Sequence, residues 1–139
     1  MTSLIAYRKH IDAIYTRELR LPDAPQGQQC GQELCTLADG RTVVALFDGF
    51  TLPADQHADI AASIEPLALT DALRKEISRL SPHIRLIDQR VRDAIADRYS
   101  ITDEIKLIRT APSPEMEAYN AYAEECRAWG RAEKAKLGL

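Results

Sequence analysis

Apolar positions fall into three stretches of different period, separated by proline-containing breaks. Leu4, Tyr7, Ile11 and Ile14 recur at spacings of 3, 4 and 3 behind possible caps Thr2 and Ser3, which predicts an amphipathic helix over residues 1–21. Pro22 and Pro25, with Gly27, then mark a linker over 22–32. Residues 33–69 hold two β-prone runs, Glu33 to Ala38 and Arg41 to Phe47, on either side of Asp39-Gly40. That dipeptide predicts a β-hairpin with a type I′ turn, followed by a short connecting segment that contains a helix between Pro53 and Pro66. An isolated hairpin is marginal in water, so it must lie on helices, join a sheet, or pair with a neighbouring copy.

From Leu73 to Ile108 the spacing alternates between 4 and 3, and Arg98 is the one interruption. Read as heptads, Ile77, Ile84, Val91, Arg98 and Ile105 occupy a, while Leu73, Leu80, Ile87, Ala94, Ile101 and Ile108 occupy d. Isoleucine at both positions favours three or four strands over two. Leu86, Ile95 and Leu107 widen the stripe as a bundle core does, and helix packing uses the same spacing for a core and for a seam. Ser81-Pro82 and Ser100-x-x-Asp103 read as helix starts, so three helices, about 70–80, 82–99 and 102–110, replace one rod. Ser113-Pro114 starts a last helix that ends near Gly138 and carries Tyr119, Tyr122, Cys126 and Trp129 in one row. The fold class that follows is mainly α with a small β-hairpin (α+β). It comprises an N-terminal helix, the hairpin, and a helical bundle or coiled-coil-like region over 70–139.

Composition adds limits. With 139 residues, 45% hydrophobic and 28% charged, the chain has enough apolar content for a core, and it lacks an apolar run of membrane-spanning length. The N-terminus is charged by Arg8 and shows no secretion signal, which places the chain in the cytoplasm at synthesis. Residues 1–69 carry five basic and nine acidic groups, and the basic residues between Arg74 and Arg98 are interleaved with acids. Asp71 with Lys75 and Asp88 with Arg92 stand at ion-pair spacing, so this surface reads as self-compensated, with no nucleic-acid partner. Three cysteines, Cys30, Cys35 and Cys126, form neither a zinc-spaced set nor an even framework.

Candidate chemistry is sparse. Asp55-x-His57-x-Asp59 offers possible metal ligands, although such spacing is more often a solvated surface. His83 follows a capping serine without a third group to orient it. No phosphate loop, Cys-x2-Cys, His-Glu-x2-His or Gly-x-Ser-x-Gly occurs, which points to a non-enzyme with no catalytic residues, metal or cofactor.

Four C-terminal segments carry a resemblance: Ser81-Pro82-His83-Ile84-Arg85-Leu86-Ile87; Arg98-Tyr99-Ser100-Ile101-Thr102-Asp103-Glu104-Ile105-Lys106; Ala118-Tyr119-Asn120-Ala121-Tyr122; and Cys126-Arg127-Ala128-Trp129-Gly130. With the strand-turn segment from Leu37 to Val44, they are similar to small proteins encoded among the tail genes of tailed phages and prophages. The resemblance implies a virion tail, baseplate or fibre component that binds a larger tail or fibre protein, located in the host cytoplasm at synthesis and in the virion afterwards. Residues expected to mediate self-association, with a trimer favoured, are Ile77, Leu80, Ile84, Ile87, Val91, Ile101, Ile105 and Ile108; Tyr119, Tyr122 and Trp129 are expected to dock a partner. The rival readings are an assembly chaperone or small regulator that binds one protein, and an enzyme built on His57 or His83.

Overall fold

Leu4, Ile5, Ala6 and Tyr7 are buried in succession. Four consecutive buried residues suit a strand covered on both faces, since its side chains point alternately into two cores. In the computed structural model, which describes all 139 residues, they form β1, Ser3–Tyr7. This overturns the predicted N-terminal helix. The 3/4 spacing that suggested it runs on to Ile11 and Ile14, yet these are 71% and 90% exposed and belong to no core. Thr2 and Ser3 start no helix. Instead His10–Ile11 (β2) and Thr16–Arg17 (β3) form a small ribbon. Its turn is held by Asp12, whose carboxylate accepts from the backbone N–H groups of Ile14 at 2.7 Å and Tyr15 at 3.0 Å.

Gly31–Thr36 (β4) and Thr42–Leu46 (β5) form the hairpin around Asp39-Gly40. Only Gly40 has a positive φ, 92°, so the turn is the three-residue kind with a left-handed glycine and not the predicted type I′. The Arg8 guanidinium donates to the Asp39 carbonyl at 2.7 Å and sits where a Cβ on Gly40 would stand. The hairpin does not wait for a second copy. β5 pairs antiparallel with β1, Leu4 against Ala45 and Ala6 against Val43, and β1 pairs on its other side with Glu65–Pro66 (β6). The result is a four-stranded antiparallel sheet of order β4-β5-β1-β6, with a bulge in β4 between Glu33 and Cys35. With 46% of residues helical and 16% in strands, the sheet is a full layer of the fold and not an accessory hairpin.

Each face of the sheet has its own cover. On one, Leu4, Val43 and Ala45 pack with Leu34, Cys35, Leu37 and Ile77. On the other, Tyr7 and Val44 pack with Ile60 of α1, Ala58–Ala61, and with Leu19, Leu21 and Ile64. Thr36 and Thr42 join their hydroxyls across the hairpin at 3.1 Å, which satisfies the buried Thr42.

The remaining chain is four helices: α2, Asp71–Leu80; α3, Pro82–Arg98; α4, Ile101–Thr110; and α5, Pro114–Lys136. Each begins on a hydroxyl cap, Thr70, Ser81, Ser100 and Ser113 in turn. Pro82 and Pro114 occupy first-turn positions where a missing N–H is harmless. At Ser100 the cap is reciprocal: its hydroxyl accepts from Asp103 N–H at 3.1 Å and the Asp103 carboxylate accepts from Ser100 N–H at 3.0 Å. No helix is long and apolar enough to cross a membrane.

α3 and α5 pack closely because α5 presents Ala123 and Gly130, both buried. A Cβ on Gly130 would lie 2.7 Å from Cγ2 of Val91, a stiff β-branched neighbour. α5 ends in a Schellman pattern, with Gly138 N–H bonded to the Ala135 carbonyl at 3.0 Å and Leu139 N–H to the Lys134 carbonyl at 3.1 Å. Leu137 and Leu139 thereby fold onto the core around Leu4, and the Thr2 hydroxyl donates to the Lys136 carbonyl at 3.0 Å.

Two expectations follow. Gly130→Leu adds a side chain where α3 leaves no room, and should lower stability by about 1–3 kcal/mol in urea unfolding despite the better helix propensity of leucine; an unchanged midpoint would show that the two helices are free to part. Burial pushes the Cys35 thiol from 9.0 up to about 11. The folded state therefore holds its proton while the unfolded chain releases it, so stability is insensitive to this group below pH 9.0 and falls as pH rises from there to about 11. A thiol reagent at pH 7.5 should label Cys30 and Cys126 in the native protein and Cys35 only after unfolding.

Candidate functional site

The regular 4/3 row from Leu73 to Ile108 divides when it folds. Ile77 and Ile84 are fully buried and Ile87 nearly so, Leu80 is half-buried in the sheet-facing core, and half-buried Val91 meets α5 at Gly130. These five serve the chain's own interior, which corrects the expectation that they form an intermolecular seam. The last third of the row behaves otherwise: Ile101, Ile105 and Ile108 on α4 are 77%, 47% and 66% exposed. α4 buries no residue at all. It lies beyond the edge of the sheet and touches the body mainly through α5.

An aromatic cluster fastens that arm. The Tyr99 and Tyr119 rings meet edge to face at 5.0 Å, and Tyr99 and Tyr122 lie 6.0 Å apart. The Tyr119 hydroxyl donates to Glu104 Oε1 at 3.0 Å, and the Tyr122 hydroxyl donates to the Ala94 carbonyl at 2.9 Å. Burial, together with the carboxylate it is bonded to, raises the Tyr119 hydroxyl above its ordinary value. Arg98, the one polar residue in the apolar row, stacks its guanidinium 4.5 Å from the Tyr122 ring centre instead of seeking a carboxylate. Tyr119 and Tyr122 thus join α3, α4 and α5, with their hydroxyls bonded within the chain and their rings half-buried. Trp129 stays 43% exposed, beside a shallow groove of about 290 Å³ with Val91, Ala94, Tyr122 and Cys126 on its walls.

A second surface lies at the α2–α3 elbow and was not foreseen. The sequence spacing pairs Asp88 with Arg92, but the Asp88 carboxylate turns to Lys134 Nζ on α5 at 2.6 Å. Arg92 instead donates to Gln89 Oε1 at 2.9 Å, and Gln89 donates to Asp93 at 2.7 Å. Lys75 likewise makes no ion pair with Asp71, and the Glu76 carboxylate accepts from the Ala38 N–H at 3.0 Å. Arg79, Arg85 and Arg92, which make no ion pair, line a groove of about 800 Å³ with Ser78, Leu86 and Gln89, and the Asp88 carboxylate that pairs with Lys134 is on the same wall. The seven-residue interval from Arg85 to Arg92 and the position of Arg79 just before the Ser81-Pro82 break are the signals that place them together.

The remaining candidate residues have structural tasks. His57 caps α1 by accepting from Asp59 N–H at 3.2 Å, Asp55 pairs with Arg20 at 2.6 Å, and Asp59 accepts from the Tyr15 hydroxyl at 3.1 Å. No three His, Cys, Asp or Glu side chains converge as metal ligands would. His83 faces a cleft between the end of the sheet and α5 that also holds Glu133 and Lys136, and Glu133 is bonded to Lys136 at 2.7 Å.

The division of the row has a direct check in thermal melts of dilute protein. Ile77→Ala should lose about 2–5 kcal/mol, while Ile105→Ala should stay within about 0.5 kcal/mol of the parent; equal losses would place Ile105 in the core.

No protein-family model, curated protein or solved structure matches the chain.

Proposed function

We propose that the protein is a non-enzymatic structural component of a phage tail region that acts by self-association and by docking onto a larger tail, baseplate or fibre protein. In this reading it is made in the host cytoplasm and ends in the virion. The observation that carries it is the row Ile101, Ile105 and Ile108, three large apolar side chains on one face of a helix that contributes nothing to the core. A soluble chain keeps such a face where another surface covers it. The tail-region assignment draws on the resemblance of residues 37–44, 81–87, 98–106, 118–122 and 126–130 to small tail proteins, and the C-terminal ones of these contribute to α3, the α4 arm and the aromatic cluster that fixes the arm.

A second reading is favoured by the elbow groove. Arg79, Arg85 and Arg92 would hold a carboxylate-rich segment of one partner, the task of an assembly factor that releases its client before the particle is complete.

Mass spectrometry of particles released from cells that carry the gene separates the two. The structural reading expects the protein in purified particles and expects Ile101→Asp/Ile105→Asp to remove it while leaving its melting temperature within a few degrees. A wild-type protein absent from particles but bound to a tail protein in the cell would assign the assembly role, and an Arg85→Glu/Arg92→Glu variant should then release that protein.

A further inference from the structure

We infer that the α2–α3 elbow seats an acidic segment of a partner protein that carries an apolar residue among its carboxylates. The arginines hold the acids, and the apolar side chain lies against Leu86 and the cleft beside it. The inference rests on the reading of the elbow as a docking surface and adds to it the apolar anchor that such a segment needs.

α3 separates two concavities, the arginine groove of about 800 Å³ and a cleft of about 580 Å³ toward the end of the sheet, and Leu86 lines both. The helical repeat explains why. At 3.6 residues per turn, Arg85, Gln89 and Arg92 fall to one side of Leu86, and His83, Ile87 and Arg90 fall to the other. Leu86 is 49% exposed on the crest between them, and Phe47, Ile87 and Leu137 give the cleft an apolar wall. The two concavities therefore form one surface, cationic on one flank and apolar on the other.

Charge complementarity names the occupant. Arg79, Arg85, Arg90 and Arg92 are exposed on this surface and make no ion pair, although the chain as a whole carries a net charge of -3. The acids on the same walls are already engaged: Asp88 by Lys134 at 2.6 Å, Glu133 by Lys136 at 2.7 Å, and Asp48 by the amino group of Met1. Arg92 uses one N–H on Gln89 at 2.9 Å, which holds its guanidinium at the groove and leaves its other donors open. Guanidinium forks match carboxylates in geometry as well as in charge. The groove has no aromatic ring on which a base could stack, and a sugar-phosphate backbone would leave Leu86 and the apolar wall wet. A protein segment meets both demands at once, because its carboxylates reach the arginines while its apolar side chain covers Leu86.

The test is fluorescence anisotropy of the full chain with three labelled probes: a short glutamate-rich peptide with one central leucine, the same peptide with serine in its place, and an oligothymidylate of equal charge. Wild type is compared with Arg85→Glu/Arg92→Glu, with Leu86→Ser, and with Lys106→Glu/Arg109→Glu on α4 as a control away from the elbow. All the altered side chains are exposed, so each variant should melt within a few degrees of wild type. The leucine peptide should bind wild type about tenfold more tightly than the serine peptide, as burial of one leucine provides. Leu86→Ser should erase that preference, the arginine reversal should weaken both peptides by at least about tenfold, and the α4 control should bind as wild type does. Equal binding of the two peptides, with the arginine reversal still effective, overturns the apolar anchor and leaves the elbow reading standing. An oligothymidylate bound as tightly as the leucine peptide overturns the protein segment as occupant. If wild type binds neither peptide, or the α4 control loses as much as the arginine reversal, the elbow reading falls together with the inference.

Discussion

β1 has no solvent-facing side, and the rest of the molecule is arranged to meet that demand. Its backbone is paired on both edges, by β5 and by β6, and its side chains alternate between two separate clusters. One cluster is closed by α2 and by Leu137 and Leu139 after α5; the other is closed by the short α1 and by Leu19 and Leu21 in the segment after β3. Elements from both ends and the middle of the chain are therefore tied to five residues near its start. The hydrogen bond from Thr2 to the Lys136 carbonyl closes the same circuit from the polar side.

The extent of the sheet also decides which part of the helical layer is buried. α2 and the first turns of α3 lie against the sheet, so Ile77 and Ile84 have no exposure. Further along, α3 rests on α5 alone, at a separation that Gly130 permits and a larger residue would not. Beyond Arg98 α3 has ended, and α4 is held mainly by α5 and by the Tyr99, Tyr119 and Tyr122 cluster. The exposed isoleucines follow from that geometry: one unbroken sequence pattern passes from core to surface where the supporting layer ends.

What could be read beforehand was local. The starts of α3, α4 and α5 follow from serine caps with proline or aspartate at set distances, and the hairpin turn follows from Asp39-Gly40. β1 was misread because Leu4, Tyr7, Ile11 and Ile14 happen to keep helical spacing, while the strand's own partner, β5, lies far along the chain and leaves no periodic trace near Leu4. The predicted ion pairs on α2 and α3 failed for a similar reason. Spacing along one helix names possible partners, but Lys134 on a different helix takes Asp88 first. The same limit applies to the isoleucine row, because a core and a seam share one period and only tertiary placement separates them. Of the residues expected to self-associate, Ile101, Ile105 and Ile108 are exposed, whereas Ile77, Leu80, Ile84, Ile87 and Val91 pack within the chain; of those expected to dock a partner, Trp129 is exposed and Tyr119 and Tyr122 are half-buried with their hydroxyls bonded within the chain.

The two outer strands have a consequence for how the protein behaves when crowded. β6 is two residues long and ends on Pro66, which has no N–H to offer a further strand, and β4 is bent by its bulge between Glu33 and Cys35. Neither margin presents the long flat ladder on which amyloid-type stacking grows. A crowded solution of the protein therefore carries little risk of fibrous precipitation through its sheet margins.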